Sequence, residues 1–158
     1  MSTATYRKRL RVEGLALAAS GLFGCAVLLA VTGDAADRPG STAVQLVVVL
    51  VFMTALGLRS VAHAIGAAGP TRAQEAGDGE ATPLWQIPVV VAVLTVPVGL
   101  AVGWDGGVHI AGGCAVIGLV QAFVLERAVA RDEGRSGRRY VRVAGSRIVR
   151  GSRLAYVD

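Results

Sequence analysis

A chain of 158 residues has the length of a single domain, and its composition excludes an ordinary soluble one. Hydrophobic residues make up 53% and charged residues 17%, against about 25% charged residues in soluble domains. The net charge is +5, and fifteen of the sixteen basic residues are Arg, a bias that with abundant Ala, Gly and Val indicates a high-GC prokaryotic genome. The two cysteines, Cys25 and Cys114, form no CxxC motif, no His/Cys cluster and no disulfide framework.

Four apolar runs are each long enough to cross a bilayer as a helix, which needs about 20 residues. They cover about residues 14–33, 42–65, 84–103 and 108–127. The third run is bounded by two tryptophans, Trp85 and Trp104, nineteen residues apart. In a helix that separation is roughly 28 Å, close to the ~30 Å hydrocarbon thickness, with one indole at each interface.

These runs predict an all-α, polytopic membrane protein with a four-helix transmembrane bundle. Residues 1–133 would form the four-span domain and residues 134–158 a basic cytoplasmic tail. Two processing alternatives exist for the first run: signal-peptide cleavage near Gly33, and a lipobox-like Leu22–Cys25 in which the cysteine is lipidated. The run is longer than the ~7–15 apolar residues of a signal peptide and continues for seven residues beyond Cys25, so an uncleaved span is preferred.

The segments between the runs predict two connectors and one turn. Residues 34–41 form a short polar connector, residues 69–82 the one long loop, and residues 104–107 a tight turn. Pro97 is expected to bend the third span because it lacks an N–H, with Thr95 available to satisfy the carbonyl that it frees.

Small residues at four-residue spacing predict close packing of the first and fourth spans. The two predicted stripes are Ala16, Ser20 and Gly24 in the first span, and Cys114, Gly118 and Ala122 in the fourth.

The distribution of basic residues predicts the orientation. With four spans, both termini and residues 69–82 share one side. That side holds fourteen basic residues, with Arg59 near its boundary, whereas the other holds Arg38 alone. We therefore expect a multi-pass protein of the cytoplasmic (inner) membrane with both termini in the cytoplasm.

Arg59 is the one basic residue inside an apolar run, and a charge in the membrane indicates function unless it reaches the interface. It lies near the cytoplasmic boundary, where its side chain can snorkel to lipid phosphates. His63 follows one turn later on the same face. Glu13 and Glu126 belong at the same boundary and are the candidate partners.

At the outer end of the fourth span, Asp105 and His109 are four residues apart and could form a His–carboxylate pair that relays protons or senses pH. The simpler alternative is two polar side chains at an interface.

After a helix end expected at Gly134, the tail is rich in arginine. Basic residues beside a membrane gain about 1 kcal/mol each from anionic lipid, so we expect the tail to contact anionic headgroups; a ribosomal or nucleic-acid contact is the less favoured alternative. The expected lipid-contacting residues are Arg135, Arg138, Arg139, Arg142, Arg147, Arg150 and Arg153.

Three functional classes fit these features. The favoured one is a non-enzymatic accessory or scaffold subunit of a larger membrane complex, with a membrane-protein partner. The alternative is a small oligomeric transporter, channel or phage-type pore former, acting as a homo-oligomer. A lipid-modifying enzyme is disfavoured because the chain has no HExxH, GxSxG, Walker loop or Mg²⁺-binding acidic cluster. No cofactor, metal or catalytic residue is predicted.

Overall fold

A computed structural model describes residues 5–32, 39–70, 84–143 and 153–157, and these are mostly helical. The first two helices are α1, Tyr6–Thr32, and α2, Pro39–Gly66. Helix α3, Gln86–Val102, is followed by α4, Trp104–Leu119. A π-helical segment, Val120–Leu125, joins α4 to α5, Glu126–Ser136, in one continuous rod.

Three helices are long and apolar enough to cross a membrane, which supports a membrane protein. They are α1, α2 and the rod formed by α4, the π segment and α5. Helix α3 is also apolar but has seventeen residues, a length at the lower limit for a bilayer-spanning helix. The described part of the chain therefore contains three long apolar helices and one shorter one.

The tightest packing is between α1 and α4, which run antiparallel. A Cβ added to Gly14 would lie 2.7 Å from the backbone N of Ala122, and one added to Gly21 would lie 2.5 Å from that of Ala115. Such close approach requires small residues. The seam is formed by Gly14, Ala18 and Gly21 on α1 against Ala111, Ala115 and Gly118 on α4 and Ala122 in the π segment.

The seam matches each predicted stripe in part. Gly118 and Ala122 do face α1, with Ala115 in place of Cys114, and Gly24 does lie against Ala111. The closest contact on α1 runs instead through Gly14, Ala18 and Gly21, spaced by four and then three residues. That spacing keeps one face in contact along two helices that coil around each other. In the predicted α1 stripe, the Ser20 hydroxyl instead donates to the carbonyl of Ala16 in its own helix, at 2.8 Å.

The turn between α3 and α4 is shorter than predicted. It consists of Gly103 alone, whose φ of +108° favours glycine, and residues 104–107 already form the first turn of α4. Pro97 lies inside α3, where it leaves the carbonyl of Val93 without its usual donor. The Thr95 hydroxyl donates to Val91 O at 2.6 Å, so it does not satisfy that carbonyl as expected.

Helix α2 packs against the far end of the rod. A Cβ on Gly57 would lie 3.1 Å from Leu125 Cδ2, and Val61 is buried near Val129 of α5. Only 6% of the apolar window Val47–Gly66 is buried inside the chain. Helix α2 therefore packs on α4 and the π segment with one narrow face and leaves most of its apolar surface exposed.

A small sheet departs from the all-α prediction. Strands β1, Gly69–Pro70, β2, Arg139–Val143, and β3, Arg153–Val157, lie in the order β1-β3-β2. Strands β2 and β3 are antiparallel, with Tyr140 opposite Tyr156, whereas β1 pairs with β3 in parallel. Part of the predicted tail is thus folded back as strands, and α5 continues past the predicted stop at Gly134 to Ser136. Gly137, with φ of +71°, caps it by donating its N–H to Glu133 O.

Candidate functional site

The polar end of the helices is covered by a small folded cap. The cap consists of the first two turns of α1, the C-terminal turns of α2, α5 and the sheet. Its buried core is formed by Leu10, Val61, Val129 and Tyr140, one residue from each of these four elements. Burial of these side chains joins the predicted tail to the membrane helices, and it fixes the charged side chains around the core.

An ion pair between α1 and α5 lies beside this core. Arg7 donates from Nε and Nη2 to Oε1 of Glu126, at 2.9 and 2.6 Å. Its Nη1 lies 3.6 Å from Oε2 of Glu133. The two carboxylates are seven residues apart and so share one face of the helix. Arg7 therefore bridges two turns of α5.

Strand β2 is anchored to α5 through Tyr140. The Tyr140 N–H donates to Oε1 of Glu133 at 3.0 Å, and its hydroxyl donates to Oδ2 of Asp132 at 2.6 Å. Burial, together with the hydrogen bond to Asp132, raises the pKa of Tyr140 above its ordinary value of 10.0. The phenol therefore remains a protonated donor at neutral pH.

Two arginines of the predicted tail contact tyrosine rings. Arg142 lies 3.8 Å from Glu13 Oε1 and 5.9 Å from the ring centroid of Tyr6. The guanidinium of Arg138 lies 4.1 Å from the ring centroid of Tyr156. Such cation–π contacts contribute about 0.5–1 kcal/mol at exposed sites, and they hold both arginines against the cap.

The predicted intramembrane group is not brought together. Within the described residues, Arg59 has no carboxylate within ion-pair distance. Its candidate partner Glu126 binds Arg7 instead, and Glu13 lies by Arg142. Arg59 and His63 are both exposed on α2, close to the level of Val61 in the cap core. Arg59 thus lies at the polar end rather than deep within a span.

At the other end of α4, His109 contacts the backbone of Asp105 rather than its carboxylate. His109 Nδ1 lies 2.6 Å from Asp105 O. The other ring nitrogen, Nε2, is buried and has no hydrogen-bond partner among the described residues. The expected His–carboxylate pair is therefore absent from this part of the chain.

The tail arginines have different positions in the structure. Arg135 is exposed near the end of α5, and Arg139 is exposed at the start of β2. Arg153 begins β3. Arg147 and Arg150 lie outside the described residues.

A polar cavity of about 360 Å³ opens between α1, α5 and β2. We call it the cap cavity; its charged lining is Arg7, Lys8, Arg11, Glu126, Glu133 and Arg139. A smaller cavity of about 240 Å³ lies between α1, α3 and the π segment, with Glu13, Gln86 and Gln121 as its polar residues.

Sequence reasoning missed Arg7, Asp132, Glu133 and Tyr140. The spacing of Glu126 and Glu133 was the available signal, since it places two acids on one helical face.

Among the described residues, no group of three or more His, Cys, Asp or Glu side chains could hold a metal ion. The chain matches no known family model, no curated protein and no solved structure.

Proposed function

We propose that this chain is a four-span protein of the inner membrane, with both termini cytoplasmic, that serves as a non-enzymatic accessory or scaffold subunit of a larger membrane complex. The exposed position of Arg59 carries the proposal. Arg59 is exposed at the polar boundary of α2, and both of its candidate partners within the chain lie beside other arginines. Its guanidinium can therefore bind a group on another protein at that boundary.

The rest of the α2 surface supports a partner outside the chain. One face of α2 packs on α4 and the π segment, while on the rest of its surface large apolar side chains such as Val51, Phe52 and Leu56 are 52–63% exposed. This exposed apolar surface is available to another membrane helix. Arg59 and His63 would then add polar contacts at the boundary of that interface.

Photo-cross-linking from α2 tests this proposal. A photoreactive amino acid at Leu56, on α2, is compared with one at Leu100, on α3; these side chains are 52% and 71% exposed. We expect the probe at position 56 to cross-link one different membrane protein, which also copurifies at fixed stoichiometry in mild detergent. The probe at position 100 should give mainly lipid adducts. Arg59→Gln should weaken the cross-link.

The outcomes separate the two favoured functions. Cross-links between identical chains from position 56, with a homo-oligomer in solution, would support the alternative of an oligomeric transporter, channel or pore former. A monomer without protein cross-links from either position would contradict both.

The proposed orientation has its own test. The cap carries many of the basic residues, and such residues are retained on the cytoplasmic side. Reporters fused to the C-terminus should therefore be active if they require the cytoplasm and inactive if they require export. The opposite pattern would contradict the proposed topology of four spans with both termini in the cytoplasm.

A further inference from the structure

The geometry points to a phosphate-binding site in the cap cavity. Four cations and two carboxylates line it, which leaves two positive charges in excess. A phosphate monoester carries about −1.5 to −2 charges near neutral pH, and the phosphodiester of a lipid headgroup carries one negative charge. The excess positive charge of the cavity therefore suits one phosphate group of either kind.

The acidic residues of the cavity do not compete for its free cations. Glu126 and Glu133 both lie against Arg7, and Glu133 also accepts the N–H of Tyr140. Arg7 with these carboxylates forms a fixed wall. Lys8, Arg11 and Arg139 remain, and none of the three has a carboxylate within ion-pair distance among the described residues.

The three free cations converge from two elements. Lys8 and Arg11 are three residues apart on α1, a spacing that places them side by side. Arg139 comes from β2, whose position is fixed by the bonds of the next residue, Tyr140, to α5. Guanidinium groups bind phosphate oxygens through two parallel N–H donors, and an ammonium adds a mobile third contact.

The position of the cavity along α1 corresponds to the headgroup layer. Arg11 lies three residues before Gly14, where the apolar run begins. Lys8 lies six before it, so at 1.5 Å per residue the two are about 4.5 and 9 Å from the apolar run. The headgroup region is roughly 5–8 Å deep on each side of the bilayer. The phosphate of a membrane lipid can therefore reach the cavity while its acyl chains remain in the membrane.

The size of the cavity limits the ligand to a headgroup or a small ester. Its volume, about 360 Å³, lies at the lower end of ligand pockets, which range over about 300–1,000 Å³. The shared chemistry is a phosphate group, which either an anionic phospholipid or a soluble phosphate ester could supply. This inference does not depend on the accessory role or on any partner protein.

Binding to the purified full-length protein tests the site. Native mass spectrometry in mild detergent would count bound phosphatidylglycerol and cardiolipin, with phosphatidylcholine as a lipid of no net charge. Glycerol 3-phosphate and inorganic phosphate, titrated by calorimetry, are the soluble probes. The test variant is Lys8→Gln/Arg11→Gln/Arg139→Gln. The matched control is Arg127→Gln/Arg131→Gln/Arg135→Gln, which removes the same charge from exposed positions of α5 outside the cavity.

We expect the cavity variant to bind the preferred phosphate probe about a hundredfold more weakly and the control variant to bind it within about threefold of the parent. Binding of lipids alone identifies a headgroup as the source, and binding of soluble probes alone identifies a phosphate ester. Equal losses in the two variants, or no binding of any probe by the parent protein, would overturn the proposal. If the triple variant misfolds, Lys8→Gln alone keeps the test valid, because the exposed Lys8 side chain makes no described hydrogen bond or ion pair. This single substitution should weaken binding about fivefold. Unchanged binding would also overturn the site.

Discussion

Replacing Gly118 by alanine should force α1 and α4 apart. The new Cβ would meet the backbone N of Ala18 and, at 2.5 Å, the carbonyl oxygen of Gly14. Both are backbone atoms, so no side-chain rotation can relieve the overlap. Ordinary van der Waals contact begins at 3.4 Å, which requires the two helices to separate locally by about 0.9 Å.

That separation would weaken the contacts on either side of the mutated residue. A gap of 0.5–1 Å forfeits about a quarter to a half of each dispersion contact across it. Because association in lipid depends on such contacts rather than on hydrophobicity, the loss has no compensating gain. Overpacking of this kind costs about 1–3 kcal/mol, and we expect Gly118→Ala to lower the free energy of unfolding by about 2 kcal/mol.

Gly113→Ala is the matched control, because it makes the same change on the same helix where an added Cβ meets nothing within 4 Å. Steric trapping in bicelles would give the unfolding free energy of each variant. Gly113→Ala should be neutral or slightly stabilising, since alanine is the better helix former. If Gly118→Ala were as stable as Gly113→Ala, the close seam between α1 and α4 would be wrong.

Three further predictions concern the cap and the α3–α4 turn. Glu126→Gln should destabilise the cap by only about 1 kcal/mol, because the ion pair of Glu126 with Arg7 is only partly buried. Amide exchange in a double-mutant cycle with Arg7→Gln should show that the two substitutions do not add. Purely additive effects would contradict the ion pair. Tyr140→Phe should cost about 1 kcal/mol through loss of its hydrogen bond to Asp132. Since the pKa of Tyr140 is raised above 10.0, its contribution to cap stability should be constant below about that pH and fall as the pH rises through the raised value. Circular dichroism should show a smaller fall in Tyr140→Phe than in the parent protein. An equal fall in the two proteins would contradict the hydrogen bond between Tyr140 and Asp132. Gly103→Ala should lower the free energy of unfolding by about 1–2 kcal/mol because of its positive φ, and an unchanged value would contradict the one-residue turn.

The apolar runs could be predicted from sequence because lipid imposes a simple compositional requirement on a spanning segment. Hydropathy marks the part of a helix that is in the membrane, however, and not where the helix begins or ends. Helix α1 starts at Tyr6, eight residues before the predicted span, and the rod from α4 continues to Ser136. Outside the bilayer a helix can carry charged residues, so charge alone could not show where α1 begins or where the rod ends.

The strands of the tail could not be predicted from its sequence, in which arginine is the most prominent feature. Arg139–Val143 and Arg153–Val157 contain β-branched and aromatic residues that favour strands. Each segment is only five residues long, and β3 also pairs with β1, which lies far back in the chain, so a local pattern does not reveal the sheet. The contacts of Arg138 and Arg142 with tyrosine rings depend on this tertiary arrangement, so the local sequence could not predict them.

The packing seam within the membrane also determines the ion pair in the cap. Arg7 lies seven residues before Gly14, on the same face of α1. The antiparallel packing that sets Gly14 against Ala122 continues past the π segment, where Leu10 packs with Val129 of α5. About one turn before Leu10, Arg7 meets Glu126 and Glu133, which share one face of α5. A slip of one residue along the seam would break the close glycine contacts and both ion pairs at once, so the membrane helices and the cap specify the same register.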